Sequence, residues 1–345
     1  MTWPLEEHSL APQGGARAQQ GREDVKSGRK QEDERNSSTQ ETEGGKPTAT
    51  TEERAEGEVF WQSPTWGLKK NLKMTGRYTH AVVRGVPSSL AQEADGKVDL
   101  ARAQRESGVF SGILRQKLGL QVMELPPNEE LPRGQLIGDM AVVIADTALI
   151  TRPVNPARRK ETEGLYKLFE ELKFRVYELT DESATLDASD ILFTGTEIFV
   201  GLSKWTNLQG AEMVAKTYQD YAVSIVPVTG ELHLKSFCSM AGPDTLVIGS
   251  SNTARRALKM MEQLTDHHYE TLTVPDDAAA NCIYARVGPK SNVLVHRSAE
   301  EYPNSVQVFQ KLTDYTLVPA SCTEVSKIGG CLTACSILIN RKLEL

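Results

Sequence analysis

At 345 residues, with 39% hydrophobic, 25% charged and 6% aromatic side chains, the chain has the balance of a soluble globular protein, long enough for roughly two ordinary domains or one large repeated one. A formal net charge of −7 argues against a nucleic-acid binder, which needs a basic face to neutralise phosphates, and apolar runs such as 140–144 and 337–339 fall far short of the ~20 residues that a membrane span takes. Glu6 and Glu7 stand where a secretory leader would be basic and then apolar, and five cysteines without a CxxC pair read as reduced thiols of an intracellular protein.

Residues 12–58 carry almost no branched apolar or aromatic side chains and mix both signs of charge. Such a segment cannot bury enough surface to offset its ordering entropy, so residues 1–75 are expected to be a disordered extension of a single domain over 76–345. Phe60, Trp61 and Trp66 form a small aromatic cluster, expected to dock on the domain or, failing that, to offer a surface to a protein partner.

From Tyr78 onward the sequence repeats. Two apolar strands flank a short turn in 139–153 and again in 190–203. Weaker copies run over 238–250, with a turn at Gly242-Pro-Asp244, and over 281–296, with a turn near Gly288-Pro-Lys290. Gly, Asp and Pro at these turns are hairpin chemistry. A last unit over 335–340 finds its partner in 81–84. Between hairpins, apolar residues at helical spacing predict helices over 158–172, 211–221 and 252–264, the first followed by a strand over 174–179. About five units at a period of roughly fifty residues indicate radial or solenoid repetition. An open doubly wound sheet is the alternative, but it would not need so many hairpins.

Few residues offer chemistry. There is no P-loop, no GxGxxG, no GxSxG and no zinc-ligand spacing around His267-His268. The candidates sit at strand ends: Asp139, Asp187, Asp190, His233 and Cys335. Converging at one mouth of a repeated barrel, a thiol, an imidazole and a carboxylate would make a nucleophile, a proton shuttle and an orienting group. Taken singly, each also fits a structural role as turn former, cap or core residue.

Several stretches resemble the dimethylarginine dimethylaminohydrolase family: Thr79-His-Ala-Val-Val-Arg84, Thr147-Ala-Leu-Ile-Thr-Arg-Pro153, Ala184-Thr-Leu-Asp187, Phe199-Val-Gly-Leu-Ser-Lys204 and His233-Leu-Lys-Ser-Phe-Cys-Ser-Met-Ala-Gly-Pro243. Within it, Leu131-Pro-Arg-Gly-Gln-Leu-Ile-Gly-Asp139 and Gly201-Leu-Ser-Lys-Trp-Thr-Asn207 are similar to the second vertebrate paralogue. The resemblance implies an α/β fold, the five-bladed α/β propeller of guanidine-modifying enzymes. It also implies hydrolysis of N-ω-methylated arginine to citrulline and a methylamine, without a cofactor, thereby regulating nitric oxide synthesis. On this sequence the family's acid–base histidine falls on His233, its orienting carboxylate on Asp187, its guanidinium-side aspartate on Asp139, a substrate-binding arginine on Arg158 and the lid leucine on Leu90.

The departures from the family are as specific as the matches. The family's Glu-Asp pair becomes Gly138-Asp139, an aspartate becomes Arg133, the arginine for the substrate carboxylate becomes Trp205, and Thr-Cys-Cys-Ser becomes Thr333-Ala-Cys-Ser336. Ungapped, Ala334 takes the nucleophile's place. Cys335 is the candidate nucleophile if the backbone re-aims it, and Cys331 a further one if Gly329-Gly330 folds inward. An enzyme using Cys335, His233 and Asp187 is one expectation. A binding or regulatory protein on the same propeller is the second, and redox or metal sensing through Cys331 and Cys335 a third. The absence of an export signal predicts the cytoplasm, with room for a mitochondrial fraction.

Overall fold

A computed structural model of the protein describes residues 75–288 and 291–341, together with the backbone of Phe60 and Trp61. The extension expected over residues 1–75, with Trp66, lies almost wholly outside the described residues, as do Pro289 and Lys290. Strand β1 (Phe60–Trp61) pairs antiparallel through its backbone with Val223 and Ser224.

The chain then runs β2 (His80–Arg84), α1 (Leu100–Gln116) and β3 (Gln121–Leu125). Four repeats of hairpin, helix and outer strand follow. They are β4 (Ala141–Ile144), β5 (Thr147–Ile150), α2 (Leu165–Glu171) and β6 (Arg175–Glu178); then β7 (Ile191–Phe193), β8 (Glu197–Leu202), α3 (Leu208–Thr217) and β9 (Ala222–Pro227). Next come β10 (Cys238–Met240), β11 (Thr245–Ile248), α4 (Asn252–Leu264) and β12 (Glu270–Thr273); then β13 (Ile283–Val287), β14 (Ser291–Arg297), α5 (Pro303–Phe309) and β15 (Tyr315–Ala320). The chain closes with the short helix α6 (Thr323–Ser326) and β16 (Ile337–Ile339).

Each repeat makes one three-stranded sheet whose first two strands are antiparallel and whose third returns parallel to the second: β4-β5-β6, β7-β8-β9, β10-β11-β12 and β13-β14-β15. The fifth sheet is built from both ends of the fold, β16 pairing antiparallel with β2 and β2 parallel with β3. Five such sheets form the propeller-like α/β arrangement that the repeats predict. The hairpins exclude an open doubly wound sheet.

Burial follows strand position. The middle strands β2 and β5 are buried at every residue, whereas the outer strands β3, β6 and β12 face solvent at alternate or most positions. A strand covered on both faces reads as a continuous apolar run, which is why the hairpins stand out in the sequence. The inner strands enclose an axial cavity of about 430 Å³, lined among others by Ala141, Ile191, Met240, Ile283 and Ile337.

Two expectations need correction. The helix expected over 158–172 is split: a 3-10 turn, Pro156–Thr162, ends before Gly164, whose φ of 88° no helix contains, and α2 starts at Leu165. Arg158 therefore belongs to the turn. Cys335 does not open the last strand; it ends a 3-10 turn, Leu332–Cys335, and β16 begins at Ile337.

That turn is one of five. Every inner strand is entered through a 3-10 turn: Ile137–Asp139, Ala188–Asp190, Leu234–Ser236, Asp277–Ala280 and Leu332–Cys335. Because all five inner strands begin at the same end, the repeat gathers the turns at one mouth, where neighbouring turns pack on each other.

Candidate active site

The expected site residues belong to these turns and their borders. A 3-10 helix has three residues per turn, so side chains three apart lie on one face. Asp187, the N-cap of Ala188–Asp190, and Asp190 at its end are such a pair. Both meet His233: its Nδ1 lies 3.2 Å from Asp190 Oδ2 and 3.9 Å from Asp187 Oδ1. Asp190 is fully buried and accepts hydrogen bonds from Ser203 Oγ at 2.7 Å, Thr206 Oγ1 at 2.8 Å and the Leu234 N–H at 2.9 Å. The histidine is fixed at its other end, where the His233 N–H donates to Ser236 Oγ at 3.0 Å.

On the adjoining turn, Asp139 accepts from Ser189 Oγ at 2.6 Å and from Arg158 at 3.2 Å. Arg158 also donates to Glu161 at 2.9 Å and stands 3.7 Å from Asp187. Asp139, Asp187 and Glu161 are all nearly wholly buried. Asp139 and Glu161 share the Arg158 guanidinium in charge-assisted bonds, which opposes the rise that burial imposes on the Glu161 carboxyl.

Protonation follows from this crowding. Burial pushes the Asp187 carboxyl up, the neighbouring Asp139 charge adds to it, and His233 and Arg158 oppose the rise. Burial disfavours the His233 imidazolium, but Asp187 and the hydrogen bond to Asp190 outweigh it and raise the ring to about 9. The two shifts pull against each other, since a protonated Asp187 would no longer support the imidazolium. Asp187 first, and then the hydrogen bond to Asp190, favour the imidazolium over the neutral ring.

The thiol stands apart. The Cys335 sulfur donates to the Cys331 carbonyl at 3.3 Å, is hydrogen-bonded with the Cys322 thiol, and lines a void of about 20 Å³ with Cys322, Phe110 and Val325. The Cys322 contact and then burial push its pKa well up. A 3-10 turn rotates Cys335 by about a third of a revolution from Ala334, not to the opposite face as a strand would. That rotation carries the sulfur toward the core. Cys331 Sγ lies 3.4 Å from Thr333 Oγ1, and burial raises this thiol to about 11. Among the described residues, no hydrogen bond joins either thiol to His233.

Other expectations resolve singly. Leu90 is completely buried in the apolar cluster that also holds Val83, Leu136 and Leu332. Arg133 is turned to Glu93, at 2.6 Å, and does not oppose a guanidinium. Trp205 stacks on His233 with ring centroids 5.5 Å apart. Glu161 has no role assigned from the sequence, although Ala157-Arg-Arg-Lys-Glu161 resembles the family; Asp190 is already among the strand-end candidates. Lys235 lines the axial cavity and burial lowers its pKa. Among the described residues, no three His, Cys, Asp or Glu side chains are arranged to hold a metal ion, and no helix is long and apolar enough to cross a membrane.

Buried carboxylates cluster with an imidazole and the Arg158 guanidinium at the mouth of five ββαβ blades, which makes the chain an α/β propeller with a charged mouth. Solved structures agree on the fold. The dimethylarginine dimethylaminohydrolase of Pseudomonas aeruginosa, complexed with citrulline, superposes with a TM-score of 0.66 at 23% identity, covering 76% of this chain and all of that one. The N-terminal domain of ArgZ, a cyanobacterial arginine dihydrolase, gives 0.61 at 17% identity, covering 76% and 98%. No protein-family model matches the chain. In sequence it is 53% identical over 274 residues to the human protein named "Putative hydrolase DDAH2", covering 77% of this chain and 96% of that one. It is 25% identical over 260 residues to the N(G),N(G)-dimethylarginine dimethylaminohydrolase of Pseudomonas aeruginosa, covering 74% and 95%. The chain belongs to the dimethylarginine dimethylaminohydrolase family.

Proposed function

We propose that the chain is a hydrolase of amidine C–N bonds that converts N-ω-methylated arginine to citrulline and a methylamine. One observation carries the reading. Asp139 and Glu161 already hold a guanidinium, that of Arg158, at 3.2 and 2.9 Å, with the imidazolium of His233 across Asp187.

A guanidinium is delocalised, cationic and a poor electrophile. Carboxylates beside it fix its plane and favour its charge. The thiol gives up its proton to solvent and its sulfur bonds to the central carbon; the methylamine then leaves with a proton from His233, which breaks one C–N bond and leaves a thiouronium on the enzyme. Water adds to that carbon, the C–S bond breaks, and the oxygen remains in the ureido product while the thiol regains a proton. Cys335 supplies the sulfur once its side chain leaves the Cys331 carbonyl and the Cys322 thiol. Through this turnover the chain regulates nitric oxide synthesis. A cytoplasmic location is part of the same reading, supported by five free cysteines.

The test is methylamine and citrulline release from asymmetric dimethylarginine by the purified protein. Release abolished in His233→Ala and Cys335→Ala is expected. Release that survives Cys335→Ala would overturn the thiol assignment, and none from the unaltered protein would overturn hydrolysis. A second reading, a binding protein on the same charged mouth, is favoured by the core-facing Cys335 sulfur. Micromolar calorimetric binding without amine release would select it.

A further inference from the structure

Behind the turns lies the axial cavity, whose volume of about 430 Å³ falls in the ~300–1,000 Å³ range of small-molecule sites. It runs along the blades. Gly138 and Thr333 line it at the turn end, and Ala145 and Gly195, in the tight turns that join β4 to β5 and β7 to β8, line it at the other. Ala145 is exposed, so the cavity reaches solvent on the side away from the charged mouth. The wall between these ends is chiefly apolar, with Ile191, Met240 and Ile283 among its residues.

One basic group interrupts that wall. Lys235 lines the cavity from the turn Leu234–Ser236, and among the described residues no hydrogen bond or ion pair engages its amine. Asp139, Asp187 and Asp190 act on it from a distance, but each is within ion-pair reach of Arg158 or His233 instead. Burial outweighs their charges and lowers the lysine's pKa. A desolvated lysine amine at the end of an apolar cavity is the form that attacks carbonyl carbon. Its surroundings also suit the product, because a protonated imine is a cation and the three carboxylates lie behind it. A carboxylate guest would instead add negative charge to a region already rich in it.

We infer that Lys235 is a covalent binding site for apolar aldehydes, which enter the axial cavity from its hairpin end and form an imine with the lysine amine. The nitrogen bonds to the carbonyl carbon. The carbonyl oxygen then leaves as water with the two amine protons, so that the C–O bond breaks as the C=N bond forms, and a proton from solvent makes the imine cationic. Nothing is oxidised or reduced. The site faces away from the mouth, so the inference goes beyond the hydrolase reading and does not rest on it.

The test is trapping of the imine near neutral pH. The purified protein is incubated with octanal and sodium cyanoborohydride, which reduces the imine to a stable secondary amine, and the alkylated lysines are located by peptide mass mapping. Each unit of lowered pKa raises the neutral fraction of an amine about tenfold. Lys235 is therefore expected to be alkylated about tenfold faster than the exposed Lys97 and Lys167. Excess octanol, which fills the cavity without reacting, should slow Lys235 alone. Lys235→Met keeps an apolar stem and removes the amine; it should fold, as read by the urea midpoint, and lose the fast adduct. Alkylation of Lys235 no faster than that of the surface lysines overturns the inference. Equal alkylation of Lys235 by the polar aldehyde glyoxylate overturns the apolar class. Calorimetric binding of octanoate with no octanal adduct at Lys235 would make the cavity an ion-pair site and overturn imine formation.

Discussion

Gly138 and Ala334 meet backbone against backbone: a Cβ on Gly138 would stand 2.8 Å from the Ala334 carbonyl oxygen, and 2.7 Å from that of Ser336. The missing carboxylate at 138 and the displaced thiol at 335 are therefore one arrangement. The bare glycine is what lets the cysteine-bearing turn lie on Ile137–Asp139. Gly138→Ala should cost about 1–3 kcal/mol as an overpacking change, read as a lowered urea midpoint. Gly138→Glu should not raise amine release, because the turn must move before the new carboxylate has room. An unchanged midpoint for Gly138→Ala would mean the turn yields freely.

Asp190 lies closer to His233 than Asp187 does and should be felt in its titration. With His233 raised to about 9, its contribution to stability is complete below the ordinary histidine value of ~6.5 and is lost as pH climbs through about 9. Asp190→Asn removes the closest charge, so the histidine should titrate at lower pH in an NMR titration of the ring protons. The alkaline loss of stability should begin earlier. A histidine titration unmoved by the substitution would assign the shift to Asp187 instead.

The thiols should be slow. Burial pushes Cys282 to about 12 and Cys331 to about 11, and Cys335 is also held well above its ordinary value. Since the thiolate is the reacting form, alkylation by iodoacetamide at pH 7.5 should leave all three largely unmodified in the native protein and complete only in denaturant, as read by peptide mass mapping. Rapid native labelling of Cys335 would mean that its sulfur spends time outside the core.

A second buried charge pair, Arg297 and Glu301, bears on stability. Burial would raise the Glu301 carboxyl, but Arg297 at 2.6 Å, aided by Thr323, holds it at about 2. Its contribution is therefore present above the ordinary glutamate value and lost as pH falls through about 2. Glu301→Gln leaves the 2%-exposed Arg297 side chain without its counter-charge and should cost about 3–5 kcal/mol in chemical denaturation.

The parts of the fold legible in the sequence were those with a strong local period. The hairpins over 139–153 and 190–203 are apolar on both faces because their strands are covered on both sides, and α4 coincides with the predicted 252–264. The outer strand β12, solvent-exposed and polar, carries no such run. Helix α1, with Asp99 capping the Arg102 N–H at 3.0 Å, does not stand out in the sequence because its buried face includes the polar Glu106 and Ser111. In the site, His233, Asp187, Asp139 and Arg158 were reached through the family resemblance, and the structure brings them together. The direction of the Cys335 sulfur was not legible, since strand and 3-10 turn aim the same residue differently. Glu161 lies three residues from Arg158 and bonds to it at 2.9 Å, a pairing that the spacing allows but does not single out.

The pairing of β16 with β2 joins residues some 260 positions apart, as the Thr79 hydroxyl's bond to the Ile339 carbonyl shows. Synthesis therefore delivers the innermost strand of the first blade last. Until β16 has been made and has paired, β2 presents an open edge of the kind that recruits foreign strands. The ring is sealed only once β16 docks, and a nonsense codon before Ile337 would strand every nascent chain in that unsealed state.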